Sequence, residues 1–83
     1  MLRNDAIRFA EFLKNGKTHK SGHYHYGYIF LSYNFDKQMF EIKREDLSIN
    51  IYEPSVSYEF VDFEQIVEFL EKFYKLTDFD SLV

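Results

Sequence analysis

His19, His23 and His25 fall within seven residues of one another, and histidine is the side chain most often used to bind metals. On an extended backbone His23 and His25 project to one side about 7 Å apart, close enough to share one ion. A stable site also needs a third ligand and partners that orient each imidazole. His19 could swing in from the neighbouring polar loop, but no carboxylate occurs between Glu11 and Asp36. The His23-Tyr24-His25 spacing matches the His-x-His of cupin barrels, yet the downstream Glu is missing and 83 residues are too few for that barrel. The sequence therefore assigns no cofactor, and solvated histidines are the expectation.

The same stretch carries a second kind of chemistry. Lys14, Lys17 and Lys20 precede Tyr24, Tyr26 and Tyr28, so a basic loop leads into a row of rings. Single-stranded nucleic acid suits that combination, because cations follow phosphates while rings stack on bases. The net charge of −4 and a pI near 5.2 oppose it, and no RNP or KH motif is present. Nucleic-acid binding through Lys17, Lys20, Tyr24, Tyr26 and Tyr28 is accordingly the alternative reading.

The leading reading rests on carboxylates. Residues 1–44 carry a net +4 and residues 45–83 a net −8, with eight acids and no base between Glu45 and Glu71. Glu64, Glu68 and Glu71 would line one side of a helix, where a row of charges can steer a basic protein surface into contact. Lys72 and Lys75, four residues after Glu68 and Glu71, would partly offset that row. Catalysis finds little support. The six serines include no Gly-x-Ser-x-Gly elbow, the three glycines form no phosphate-binding loop, and cysteine is absent. The chain is expected not to be an enzyme.

The elements that must position these groups follow from periodicity. One domain spans residues 1–83, and its 46% apolar and 20% aromatic content excludes a disordered tail. Ala6, Ile7, Ala10 and Leu13 predict a first helix over residues 4–14, capped by Asn4 or Asp5 and stopped at Asn15-Gly16. Residues 17–22 read as a loop. Strands are expected at 24–33, 38–43, 47–52 and 56–60, with turns at Asn34–Lys37, at Glu45-Asp46 and at Glu53–Ser55. In the last strand Val56, Tyr58 and Phe60 alternate with Ser57 and Glu59. Asp62 with Gln65 forms a capping box for a second helix, whose Phe63, Ile66, Val67, Phe69, Leu70, Phe73 and Tyr74 face one way. The tail from Thr77 reads as extended.

The expected fold is therefore α+β, order α-β-β-β-β-α: a four-stranded antiparallel meander with an N-terminal and a C-terminal helix packed on one face. The first strand has rings on both sides, so either sheet face could take the helices, and the other could meet a partner or a second copy, giving a homodimer. No signal-peptide core or membrane-length apolar run occurs, so a cytoplasmic protein is expected. In size, acidity and element order the chain resembles small inhibitors carried by phages and mobile elements, including anti-CRISPR and immunity proteins. The charge split and the surplus of aromatic side chains point to a non-catalytic protein-binding module, and that resemblance implies an inhibitor or adaptor. Its partner would be another protein with a basic surface, met by Glu64, Glu68 and Glu71 and by Tyr24, Tyr26 and Tyr28.

Overall fold

The computed structural model describes residues 1–23, 27–47, 52–74 and 79–81. Helix α1 (Arg3–Lys14) is followed by strands β1 (His19–His23), β2 (Gly27–Asn34), β3 (Met39–Asp46) and β4 (Ser55–Val61). Helix α2 (Phe63–Phe73) and a short 3₁₀ turn at Phe79–Ser81 complete the chain. The strands pair antiparallel in the order β1-β2-β3-β4, the expected meander. Among the described residues no helix is long and apolar enough to cross a membrane.

Cross-strand register decides which side is buried. Tyr33 pairs with Phe40 and Phe40 with Val61; Leu31 pairs with Ile42. Leu31, Phe40, Ile42 and Val61 are all buried, with Ile29 and Tyr33 packed beside them. Ala6, Phe9, Ala10 and Leu13 of α1 and Ile66, Val67 and Leu70 of α2 close over that side. Burial of each Leu, Ile, Val or Phe side chain among them favours the fold by about 1.5–3 kcal/mol. The helices thus take the Ile29–Leu31–Tyr33 side of β2, and Tyr28 and Phe30 face away from them.

Each helix end has a local cause. Asp62 accepts from the Gln65 backbone N–H at 2.8 Å, and its own N–H donates to Gln65 Oε1 at 3.0 Å, the expected capping box. At α1 the N-cap is Leu2, with no side-chain cap, and Asn4 and Asp5 lie inside the helix. The Met1 amino group instead donates to the backbone carbonyls of Glu71 and Tyr74, bringing that end against α2. Gly16 follows the Asn15 C-cap at φ +92°, a left-handed conformation that suits glycine at a helix stop.

Several boundaries differ from the sequence reading. The polar segment over 17–22 is a strand from His19 onward, because its backbone has Leu31 to Tyr28 as a ready ladder partner. The first expected strand accordingly begins at Gly27 among the described residues, while residues 24–26 lie outside them. Glu45 and Asp46 continue β3, paired with Val56 and Ser55, and do not form a turn. Of the strand expected over 47–52, residues 48–51 lie outside the described set, Leu47 is in no strand, and Tyr52 sits in a bend. In the tail Phe79 is buried against Phe9 and Phe12, with ring centroids 5.6 Å away in both cases. Two rings on α1 supply an apolar seat, which an extended, solvated tail would leave empty. Turn residues Asn34–Lys37 hold as expected, with Asn34 Oδ1 accepting from the Lys37 N–H at 2.9 Å.

Removing the Asp62 carboxylate leaves the Gln65 N–H without its partner. Asp62→Ala should lower unfolding free energy by about 1 kcal/mol. Urea denaturation read by circular dichroism checks this; an unchanged midpoint would contradict it.

Candidate functional site: the open face of the sheet

The uncovered side is built by alternation. Residues on β2 and β3 that point away from the helices are Tyr28, Phe30 and Ser32, and Glu41, Lys43 and Glu45. Lys20 of β1 stands opposite Phe30, and Tyr58 of β4 opposite Lys43. One cross-strand row therefore reads Lys20, Phe30, Lys43, Tyr58. Tyr28, Glu45 and Val56 form the row on one side, and Ser32, Glu41 and Phe60 the row on the other.

In this row cations lie over rings. The Lys20 ammonium sits 4.0 Å from the Tyr28 ring centroid and 5.4 Å from that of Phe30. Lys43 lies 5.2 Å from Phe30 and 5.9 Å from Tyr58, and Lys37 lies 4.8 Å from Phe60. At these distances the ring quadrupole attracts the ammonium. The lysine stems meanwhile cover part of the apolar surface. Lys43 also pairs with Glu45 at 3.4 Å, whereas among the described residues Lys20 and Lys37 have no carboxylate within ion-pair distance.

Strand β4 reverses the usual polarity. Its apolar set, Val56, Tyr58 and Phe60, lies on the open side, and Val56 and Tyr58 remain 45% and 57% exposed. Its polar set, Ser57 and Glu59, lies on the helix side, where Glu59 bonds Arg44 at 3.1 Å. The alternation alone implies that the apolar set is buried. The helices reach the middle of the sheet, so at its edge the register, fixed by Val61 opposite Phe40, turns those residues outward.

At the β1–β2 end of the sheet, a hollow of about 270 Å³ is lined mainly by carbon, among Gly22, Gly27, Ile29, Arg44 and Phe73. Gly22 and Gly27 have φ of +146° and +130°, and a Cβ on Gly27 would collide with the Glu45 carbonyl oxygen. Glycine is what lets those three strands close together there.

Compared with protein-family models, curated proteins and solved structures, the chain matches none.

The residues singled out from sequence separate into groups. Tyr28 and Lys20 come together on the open face, as above. Tyr24, Tyr26 and His25 lie outside the described residues, and Lys17 is exposed before β1. On α2, Glu64 and Glu71 are both engaged by Arg3, at 2.8 and 3.0 Å, which leaves Glu68 as the member of that row with no ion pair among the described residues. Hydrogen bonding to Glu64 holds the Arg3 guanidinium even further toward its charged form. Phe30, Lys37, Lys43, Tyr58 and Phe60 complete the open face and were not singled out as site residues by sequence. The signal available for them was parity with Tyr28, once the strand partners are known.

Of the three histidines, His25 lies outside the described residues. His23 pairs through its backbone with Gly27, and His19 turns to the helix side of β1. There its ring meets Phe9 edge-on at 5.2 Å and Tyr74 at 5.9 Å. Among the described residues no three His, Asp or Glu side chains are grouped to hold an ion. Burial lowers the His19 pKa below its ordinary 6.5 and raises that of the Tyr74 phenol.

Because folded His19 resists protonation, the unfolded chain binds the proton first as pH drops below 6.5. Stability should be level above that pH and fall below it until folded His19 also titrates. Melting temperatures between pH 7 and 5.5 should show this decline, and His19→Phe should reduce it while keeping a ring against Phe9. An equal decline in both proteins would exclude His19 as its source.

Proposed function

We propose that the protein is a non-catalytic protein-binding module that docks through the open face of its sheet, as an inhibitor or adaptor would. The inverted polarity of β4 supports this reading most directly. Val56 and Tyr58 are left in water on the open side, and Ser57 and Glu59 are exposed on the other, beyond the reach of the helices; the apolar area left in water is offset when something covers the open side. Tyr28, Phe30, Tyr58 and Phe60 supply rigid contact area with few rotamers to freeze, the property that makes aromatic side chains common at binding hot spots.

Electrostatics favours one kind of partner. Lys20, Lys37 and Glu41 are the face's charges without an ion pair among the described residues, two positive and one negative, so a partner offering mainly carboxylates beside apolar side chains suits it. The basic-partner reading through α2 has less support. Its steering row is largely satisfied internally, since Arg3 holds Glu64 and Glu71.

Single-stranded nucleic acid is the second reading of the face, favoured by the Lys20 ammonium over Tyr28 and by Phe30 alongside. Bases would stack on the rings and phosphates would meet the lysines.

Capture from lysate, with and without nuclease, should separate these readings when three proteins are compared. The unaltered chain should retain a stoichiometric protein after nuclease treatment. Lys20→Glu with Tyr28→Ser should lose it, and Glu64→Lys, Glu68→Lys, Glu71→Lys should keep it. The reverse pattern in the two variants would return the docking site to α2.

The nucleic-acid reading makes its own forecast. Affinity for a pyrimidine oligonucleotide should fall steeply with salt and drop further in Lys20→Glu. A flat fluorescence titration at low salt would remove it.

A further inference from the structure

We infer that β4 is a self-association edge, on which a second copy of the chain adds its own β4 antiparallel across a two-fold axis through Tyr58. The sheet has two edges, and they differ. β1 is five residues long, carries Lys20, and contains Gly22 in a conformation outside ordinary strand geometry. Short length, an exposed lysine and a local twist are the means by which natural edges avoid further pairing.

β4 has none of these guards. Its seven residues, Ser55–Val61, pair one to one with Asp46 back to Phe40, without a bulge. No Lys, Arg or Pro lies within it. Among the described residues nothing pairs with its outer side, because β4 ends the strand order. A regular, uncharged-by-lysine edge of this length is a template for another strand.

The strand is also complementary to itself. A two-fold axis at Tyr58, the central residue of Ser55–Val61, uses the whole strand and sets Tyr58 opposite Tyr58 of the second copy. Val56 then faces Phe60, Ser57 faces Glu59, and Ser55 faces Val61. Aromatic and β-branched pairs fall on the open side, where Val56 and Tyr58 are exposed. Each Glu59 meets a serine, so no carboxylate stands opposite its own copy, and Arg44 stays bonded to it. An axis at Glu59 would set the two carboxylates against each other. Pairs related through Tyr58 share parity, so outward-facing backbone groups of one strand meet outward-facing groups of the other. The product is one eight-stranded sheet with all helices on one side and a continuous ring-lined face on the other. This pairing requires no other partner.

The chain has no cysteine, which makes single-cysteine cross-linking direct. Facing residues in an antiparallel pair have Cα atoms about 4.5–5.5 Å apart, within the span of a disulfide. Sedimentation velocity at high micromolar concentration should give twice the 10.1 kDa chain mass. Tyr58→Cys should oxidise to a covalent dimer several-fold faster than Phe30→Cys, which lies two strands from the axis. Val56→Lys should return the chain to monomer mass without lowering its melting temperature when dilute, because Val56 is exposed in the single chain. Three results would overturn the edge pairing: a monomer mass for the unaltered chain, Phe30→Cys cross-linking as fast as Tyr58→Cys, or an undiminished dimer in Val56→Lys. The second would indicate face-to-face packing, and the first would leave the edge to other strands.

Discussion

A strand can give only one of its two sides to a single layer of helices, and the β2–β3 pair settles which side that is. Leu31 opposite Ile42 and Tyr33 opposite Phe40 form the apolar centre over which α1 and α2 close. Once those four side chains point inward, alternation sends Tyr28, Phe30, Glu41 and Lys43 outward, and the register carries the same division to β1 and β4. His19 is drawn against Phe9 and Tyr74 by this parity, and Lys20 is placed over Tyr28 by the same rule. The candidate site is thus a consequence of where the core had to lie.

The charge division along the chain is partly offset by folding among the described residues. Arg3 reaches Glu64 and Glu71, Arg8 reaches Asp80, and Arg44 reaches Glu59, each joining a base of the first half to an acid of the second. Exposed pairs of this kind add little to stability, because water and salt screen them. Their larger effect is on the field outside the molecule. The α2 row keeps Glu68 as its unpaired member among the described residues, while the lysines of the open face sit on rings. On the open face the charges without an ion pair among the described residues are Lys20, Lys37 and Glu41, and they stand among aromatic side chains.

Much of the fold was legible before any coordinates. The α2 stripe and the Asp62–Gln65 box are short-range features, set by residues three or four apart, and both are present as read. Four strands in a meander follow from short connections. The strand identities were less legible. His19–His23 has weak β preference and is extended because β2 offers it a ladder, and Phe79 is buried because Phe9 and Phe12 wait for it across the fold. Of the candidate site, Tyr28 and Lys20 were read, whereas Phe30, Lys43, Tyr58 and Phe60 joined them only through cross-strand pairing.

By itself the sequence determined the local matters: two helices and their apolar stripes, the α+β class, the aromatic surplus, and the absence of cysteine chemistry. These depend on neighbours within a turn or a strand. Tertiary structure alone decided which side of the sheet is open, why an apolar strand side faces water, and which carboxylates Arg3 neutralises. Each of these depends on contacts between residues far apart in the chain, and a period of two fits either side of a sheet until the helices choose one.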